Sequence, residues 1–438
     1  MPCARFRRQD RAPNPQARPR IVLSSIQPRA APAGAAARPF AGFGSDFWRL
    51  LYVGLSVFTV RWGETLASAV FVFQRTHSPF LVAMMTMLRL LPMGLFGAFL
   101  GAWAERFERR SALALTILVM AAGSATLAIL AFAGRLDVWE IAALSFVNGA
   151  GWAADNPVRR VAMGEVVGAE RMGRAMSFDV AASTGSRMLG PAIGGALLAS
   201  GGIGAVFTLS VILYATALAA TLLVRTRNAH APVAGGSVLA GIAEGLAFVR
   251  RDPRLRGVLT VTVIYNIFAW PFTSMVPVIA ETNLHLGSAG TGVLASMDGV
   301  GAFIGASLLA ALVTRRYFAA AYMGGVMSYS VLLIVFALLP DPWLAGGALI
   351  ATGLGGAGFS VMQATLVYLF APPEMRSRLL GVLSVCIGVG PVGFLIIGTT
   401  ANAIGARGAT IATGLEALAA LALASPWWRR IGRAGDGG

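Results

Sequence analysis

Twelve stretches of about twenty apolar residues follow one another along this chain, and no other feature limits its fold so strongly. A helix rises about 1.5 Å per residue, so a stretch of that length crosses about 30 Å of hydrocarbon. The stretches fall at 48–73, 79–104, 111–133, 137–157, 175–200, 203–224, 257–281, 288–313, 319–339, 343–370, 379–400 and 405–428. In lipid every backbone N–H and C=O needs an internal partner, so spans of this length are read as helices. Composition agrees: 56% of the 438 residues are apolar, 12% are charged and the mean hydropathy is +0.71, outside the range of soluble domains. The predicted class is an all-α membrane protein with twelve transmembrane helices.

All 35 basic residues are arginine, giving a net charge of +16 that ordinary deprotonation does not remove. With the N-terminus placed in the cytoplasm, about 29 arginines fall in the tails and even-numbered connections. Arg75, Arg135 and Arg407 lie outside, and Arg61, Arg89 and Arg187 lie within helices. This asymmetry predicts that both termini are cytoplasmic and that anionic lipid headgroups are partners. It argues against nucleic acid.

Residues 1–45 read as a disordered basic tail, with a transit peptide or a misassigned start as alternatives. Six-helix bundles are expected at 46–225 and 257–428, a cytoplasmic linker at 226–256 and a short tail at 429–438. Within the linker, Leu239, Ile242, Leu246 and Val249 recur at helical spacing, predicting an amphipathic helix on the membrane surface. Cys3 and Cys386 offer no disulfide framework, and His77, His230 and His285 are scattered in connections, so no metal site or cofactor is expected.

The segment "GAFLGA" at 97–102 returns as "GAFIGA" at 301–306, Glu170 and Arg174 return as Glu374 and Arg378, and "GP" at 190–191 returns at 390–391. The chain is therefore read as a duplication whose two halves share one orientation, a known solution for alternating access with the substrate near the midplane. The hexapeptides place Gly97 and Gly101, and Gly301 and Gly305, four residues apart. Small residues at that spacing let helix backbones approach closely, either as static packing or as a sliding contact between halves.

An ionised side chain at a helix centre costs about 2.5–3.5 kcal/mol on insertion scales, and such residues usually face a partner or a wet cavity. Here they are Arg61, Glu64, Arg89, Asp179, Arg187, Asp298 and Glu416. Arg61 and Glu64 are three apart and are expected to neutralise each other, with Arg89 as a competitor. Asp179 and Arg187, eight apart, share a helix face. Glu64 leads the candidates for proton coupling, followed by Asp179 and Asp298; the alternative is pairing that only fixes helix rotation. Glu416 has no explanation at this level.

The run "GAFLGAWAERFERRSAL" at 97–113 resembles the cytoplasmic loop signature of the major facilitator superfamily. "AERFERR", "WGE" at 62–64, "HSPFLV" at 77–82, "NPVRR" at 156–160 and "RMLGPAIGG" at 187–195 are similar to the branch containing the enterobactin exporter and related secretion carriers. The resemblance implies two pseudo-symmetric six-helix bundles. It also implies a latch formed by Gly97, Gly101, Glu105, Arg106, Arg109 and Arg110, in which Glu105 stands where the family usually has aspartate. Gly190, Pro191, Gly194 and Gly195 resemble a motif of the superfamily's exporters; the proline removes one helix bond and the glycines permit bending and close packing. Trp62, Asn148, Trp152, Tyr265, Asn266, Trp270 and Gln363, at midplane height, are the substrate-cavity candidates. This lining suits a moderately large, partly apolar molecule such as a siderophore or a drug.

The expected function is a monomeric, proton-driven exporter in a bacterial inner membrane. An importer of the same fold and a transport-inactive sensor are the alternatives. No Gly-x-x-x-x-Gly-Lys motif is possible without lysine, and no HExxH or GxSxG element appears, so an ATP-driven pump and an enzyme are both disfavoured.

Overall fold

The computed structural model describes residues 43–104, 108–225 and 238–432, and among these the elements are all helical. Glu105 and Arg106 of the expected latch lie outside the described residues, and Gly97 and Gly101 are described only as helical backbone. Four helices begin the N-terminal half: α1 (Ser45–Thr76), α2 (Pro79–Ala104), α3 (Arg109–Phe132) and α4 (Val138–Val167). The fifth, α5 (Met172–Leu222), carries the fifth and sixth expected stretches and is divided at Gly202, where φ is 69° and ψ −176°.

A short helix α6 (Val238–Arg251) precedes the C-terminal half. There, α7 (Pro253–Ile264) and α8 (Val276–Thr282) flank a π turn and a 3-10 turn within a single stretch. Three longer helices, α9 (Ser288–Leu312), α10 (Phe318–Leu338) and α11 (Pro342–Phe370), and the shorter α12 (Arg376–Ile387) lead to α13 (Gly390–Leu423), which is divided at Gly405 (φ 79°, ψ 162°). The chain then continues into α14 (Ser425–Gly432). By length and composition, seven helical stretches among the described residues suffice to cross a membrane; α1 and α4 carry the buried charges discussed below.

Three features differ from the sequence reading. First, α4 runs ten residues beyond 157, because its polar last turns are buried by ion pairs instead of being exposed in a loop. Second, the expected last stretch ends at Leu423 and not at 428; α14 then turns back, and Gly257 of α7 packs so closely that an added Cβ would lie 2.7 Å from the Trp427 carbonyl. Third, α6 rests on α12: a Cβ on Gly245 would lie 2.8 Å from Val382, and Glu244 pairs with Arg378 at 2.6 Å. Val249 is buried while Leu246 is exposed, so the apolar face of α6 is divided between protein and surroundings.

The duplication is visible in backbone detail. His77, which caps the end of α1, and His285, three residues beyond the end of α8, are 208 residues apart and both adopt the left-handed region, with φ 50° and 52°. The glycines of the two "GP" pairs each seat a tryptophan: a Cβ on Gly190 would lie 2.7 Å from Trp62 Cβ, and one on Gly390 would lie 3.2 Å from the Trp270 ring. Gly301 and Gly305 pack α9 against Ile350, Leu354 and Ala357 of α11. They are therefore static contacts within the C-terminal half, and the sliding alternative does not describe them.

The halves meet through other small residues. A Cβ on Gly195 would lie 2.8 Å from the Gly292 Cα, joining α5 to α9, and one on Gly398 would lie 2.9 Å from Ala83, joining α13 to α2. Both contacts lie toward the ends of these helices remote from α6. A Cβ on Gly299 of α9 would lie 2.6 Å from the Arg187 carbonyl. Pro191 has no N–H to offer that carbonyl, so the exporter-like motif frees an oxygen at the point where the other half docks.

Candidate functional site

Glu64 is fully buried. One carboxylate oxygen accepts from Arg89 Nη2 at 2.8 Å and from Asn148 Nδ2 at 3.2 Å, and the other from Ser124 Oγ at 2.7 Å. Helices α2, α3 and α4 thus each supply a donor to one acid on α1, and this converts a costly buried charge into a node that fixes four helices. The expected Arg61–Glu64 pairing is not what forms: Arg89 takes the acid and also donates to the Arg61 carbonyl at 3.0 Å. Arg61 turns away, its guanidinium carbon 3.5 Å from the centroid of the Trp152 ring and 5.7 Å from that of Trp62.

Asp179 and Arg187 also find partners on other helices, not each other. Arg187 of α5 pairs with Asp298 of α9, across the halves. Asp179 is completely buried between Arg159 and Arg160, the latter at 2.9 Å, and Arg159 also binds Asp155 at 3.2 Å. Asp155 and Arg159 were not singled out from the sequence, because both lie at the margin of the expected fourth stretch. The "NPVRR" run contained the signal. Closer to α6, Arg109 lies 3.6 Å from Glu165, and Arg110 lines a shallow recess beside Asp46.

Two cavities lie along the contact between the halves. The first has an empty volume of about 880 Å³, including the part open to solvent. Arg61, Arg89, Arg187 and Asp298 share its wall with Trp62, Trp270, Phe272, Leu66, Leu90 and Leu349. The second, about 1620 Å³, reaches to α6 and is bounded by Trp152, Asn156, Arg160, Arg378 and Ser384. The Arg61–Trp152 stack stands between the two.

Of the seven substrate-cavity candidates, Trp62 and Trp270 border the first cavity, Trp152 the second, and Asn148 a small void beside Arg61. The remaining three are placed differently. Tyr265 stacks on Phe359 at 3.7 Å, Asn266 donates to the Thr262 carbonyl at 2.8 Å and Gln363 donates to Thr262 Oγ1 at 3.0 Å. All three are buried in packing of the C-terminal half, where helix height alone could not tell lining from core. Glu416 is exposed on α13 next to exposed Leu415, turned away from both cavities.

Residues 37–429 match the family described as transmembrane secretion effector. The chain belongs to the major facilitator superfamily. It is thus a transporter and not an enzyme. The chain is 28% identical over 364 residues to the multidrug efflux pump Tap of Mycolicibacterium fortuitum, covering 79% of this chain and 87% of the pump. Over 217 residues it is 23% identical to the macrolide efflux protein A of Streptococcus pyogenes, covering 49% of this chain and 54% of that protein. Among solved structures, a POT family transporter in complex with 5-aminolevulinic acid superposes with a TM-score of 0.73 at 12% identity, covering 90% of this chain and 98% of that one. The nucleoside transporter NupG gives 0.70 at 12% identity, covering 88% and 99%. At such low identity the two structures speak to fold alone.

Proposed function

We propose that this facilitator is a proton-coupled exporter of moderately large, partly apolar molecules of drug-like kind. The observation that carries the reading is the first cavity: aromatic and aliphatic walls from both halves, with the Arg187–Asp298 pair bridging the halves at its edge. Such a pair can be broken and remade as the halves rock, and a carboxylate that loses its arginine in a low-dielectric site takes up a proton more readily. Drug efflux by the two relatives supports the outward direction; neither is named for siderophores. The arginine asymmetry supports an inner-membrane placement with α6 and α14 in the cytoplasm.

Asp298 borders the cavity directly, whereas Glu64 acts through Arg89. Asp179, held by two arginines away from the first cavity, ranks below both. The test is flux in proteoliposomes across a panel of labelled drug-like compounds, including a macrolide, with and without an imposed pH gradient. Counterflow of at least one compound, accelerated by the gradient and reduced to background in Asp298→Asn and Glu64→Gln, is expected. Absence of counterflow throughout the panel would favour a sensor; wild-type flux indifferent to the gradient would remove proton coupling, and gradient-driven flux unchanged in either variant would remove that residue from it.

A further inference from the structure

The ionic groups around the first cavity do not balance. Arg89 is matched by Glu64 and Arg187 by Asp298, which leaves Arg61. No carboxylate among the described residues stands within ion-pairing distance of it. Its guanidinium is positioned instead by an aromatic face, its carbon 3.5 Å from the centroid of the Trp152 ring, a contact that orients a cation without neutralising it. The residue is only half-buried and borders the first cavity, so its remaining N–H donors are available to whatever enters. A guanidinium held in this way is a ready fork for a carboxylate, sulfonate or phosphate.

We infer that the transported molecule carries a single negative charge on an aromatic-sized apolar body, with Arg61 taking the anion and Trp62 and Trp270 facing the body. The inference deepens the exporter reading and rests on it. Trp62 and Trp270 occupy equivalent places in the two halves, each seated on the glycine of a "GP" pair, so both rings reach one cavity from opposite sides. A rigid ring offers apolar area at little entropic cost. A cationic guest would add a fourth positive charge to three guanidinium groups matched by only two carboxylates, Asp298 on the wall and Glu64 behind Arg89, whereas a monoanion completes the balance.

Three probes share one ring system and differ in charge: 1-naphthaleneacetate, 1-naphthaleneacetamide and 1-naphthylmethylamine. Binding of tritiated 1-naphthaleneacetate to the purified full chain in phosphatidylcholine nanodiscs, with the other two as competitors, reads the preference. The anion is expected to bind at least about tenfold more tightly than the amide, equivalent to about 1.4 kcal/mol. Arg61→Gln should bring the ratio close to one while leaving amide affinity unchanged, which shows the variant is folded. Arg61→Lys should retain most of the preference.

An equal or reversed order in the wild type, or a ratio indifferent to Arg61→Gln, overturns the inference. So does displacement of the probe by phosphatidylglycerol added to the nanodisc, because the partner of Arg61 would then be a lipid headgroup. Counterflow of all three probes separates the two readings. Neutral or cationic flux without an anion preference sinks this inference alone, whereas Arg61-dependent binding without flux sinks the exporter reading alone.

Discussion

Glu64 illustrates how far the identity of a residue determines its role. Its burial in the apolar first helix required a partner, and the sequence supplied two candidates, Arg61 at three residues' distance and Arg89 on the next helix. An arginine reaches far enough to choose among helices, so spacing within one helix could not decide between them. The consequence is testable. Glu64→Ala strands the Arg89 guanidinium among buried groups, and breaking one side of such a pair costs about 3–5 kcal/mol. Thermal unfolding in detergent should show a large loss for the single substitution and a smaller one for Glu64→Gln combined with Arg89→Met. Gly54 offers a second case: a Cβ there would lie 2.7 Å from the Arg159 guanidinium carbon, which Asp155 and Asp179 hold in place. Overpacking of this kind costs about 1–3 kcal/mol, so Gly54→Ala should destabilise. Gly324→Ala, on α10 with nothing within 4 Å of the added methyl, should gain about 0.5–1 kcal/mol from helix propensity.

Among elements, hydropathy found the helical stretches but not their interruptions. Gly202 and Gly405 divide α5 and α13 with positive φ and extended ψ, a region almost closed to residues with a Cβ. Alanine at either position should cost about 1–3 kcal/mol and loosen the hairpin it turns, read as earlier unfolding and increased proteolysis, although neither site has a neighbour within 4 Å to clash with. The irregular passage between α7 and α8 has a cause that was present in "WPF" yet lies outside any hydrophobic pattern. Pro271 cannot donate to the Ile267 carbonyl, and Gly393 of α13 packs directly on that oxygen. The final turns of α4 stayed hidden for the opposite reason: their burial depends on Asp179, twenty residues beyond Arg159 on another helix, which no local window contains. The repeat was the most legible feature, since its glycines and prolines sit at backbone contacts that tolerate little else.

The arrangement of the whole molecule yields a prediction about access. Its described contacts between halves at Gly195–Gly292 and Gly398–Ala83 close the end away from α6, while the larger cavity extends toward α6. Facing α6, Ser384 borders that larger cavity, and Thr65 borders the smaller one beyond the Arg61–Trp152 stack. In a background lacking Cys3 and Cys386, Ser384→Cys should react with a membrane-impermeant maleimide in everted vesicles and resist it in intact cells; the reverse would invert the proposed topology. Thr65→Cys should react slowly from outside in the same background. Adding Gly195→Ala places a methyl within 2.8 Å of the Gly292 Cα, which backbone on both sides cannot yield to without the helices separating. Labelling of Thr65→Cys from outside should then rise several-fold, because a wedge at the closed end favours the conformation in which that end is open, and a two-state carrier redistributes by the energy difference between its states. Unchanged labelling, in a variant that remains folded, would mean that this glycine contact is not part of the gate.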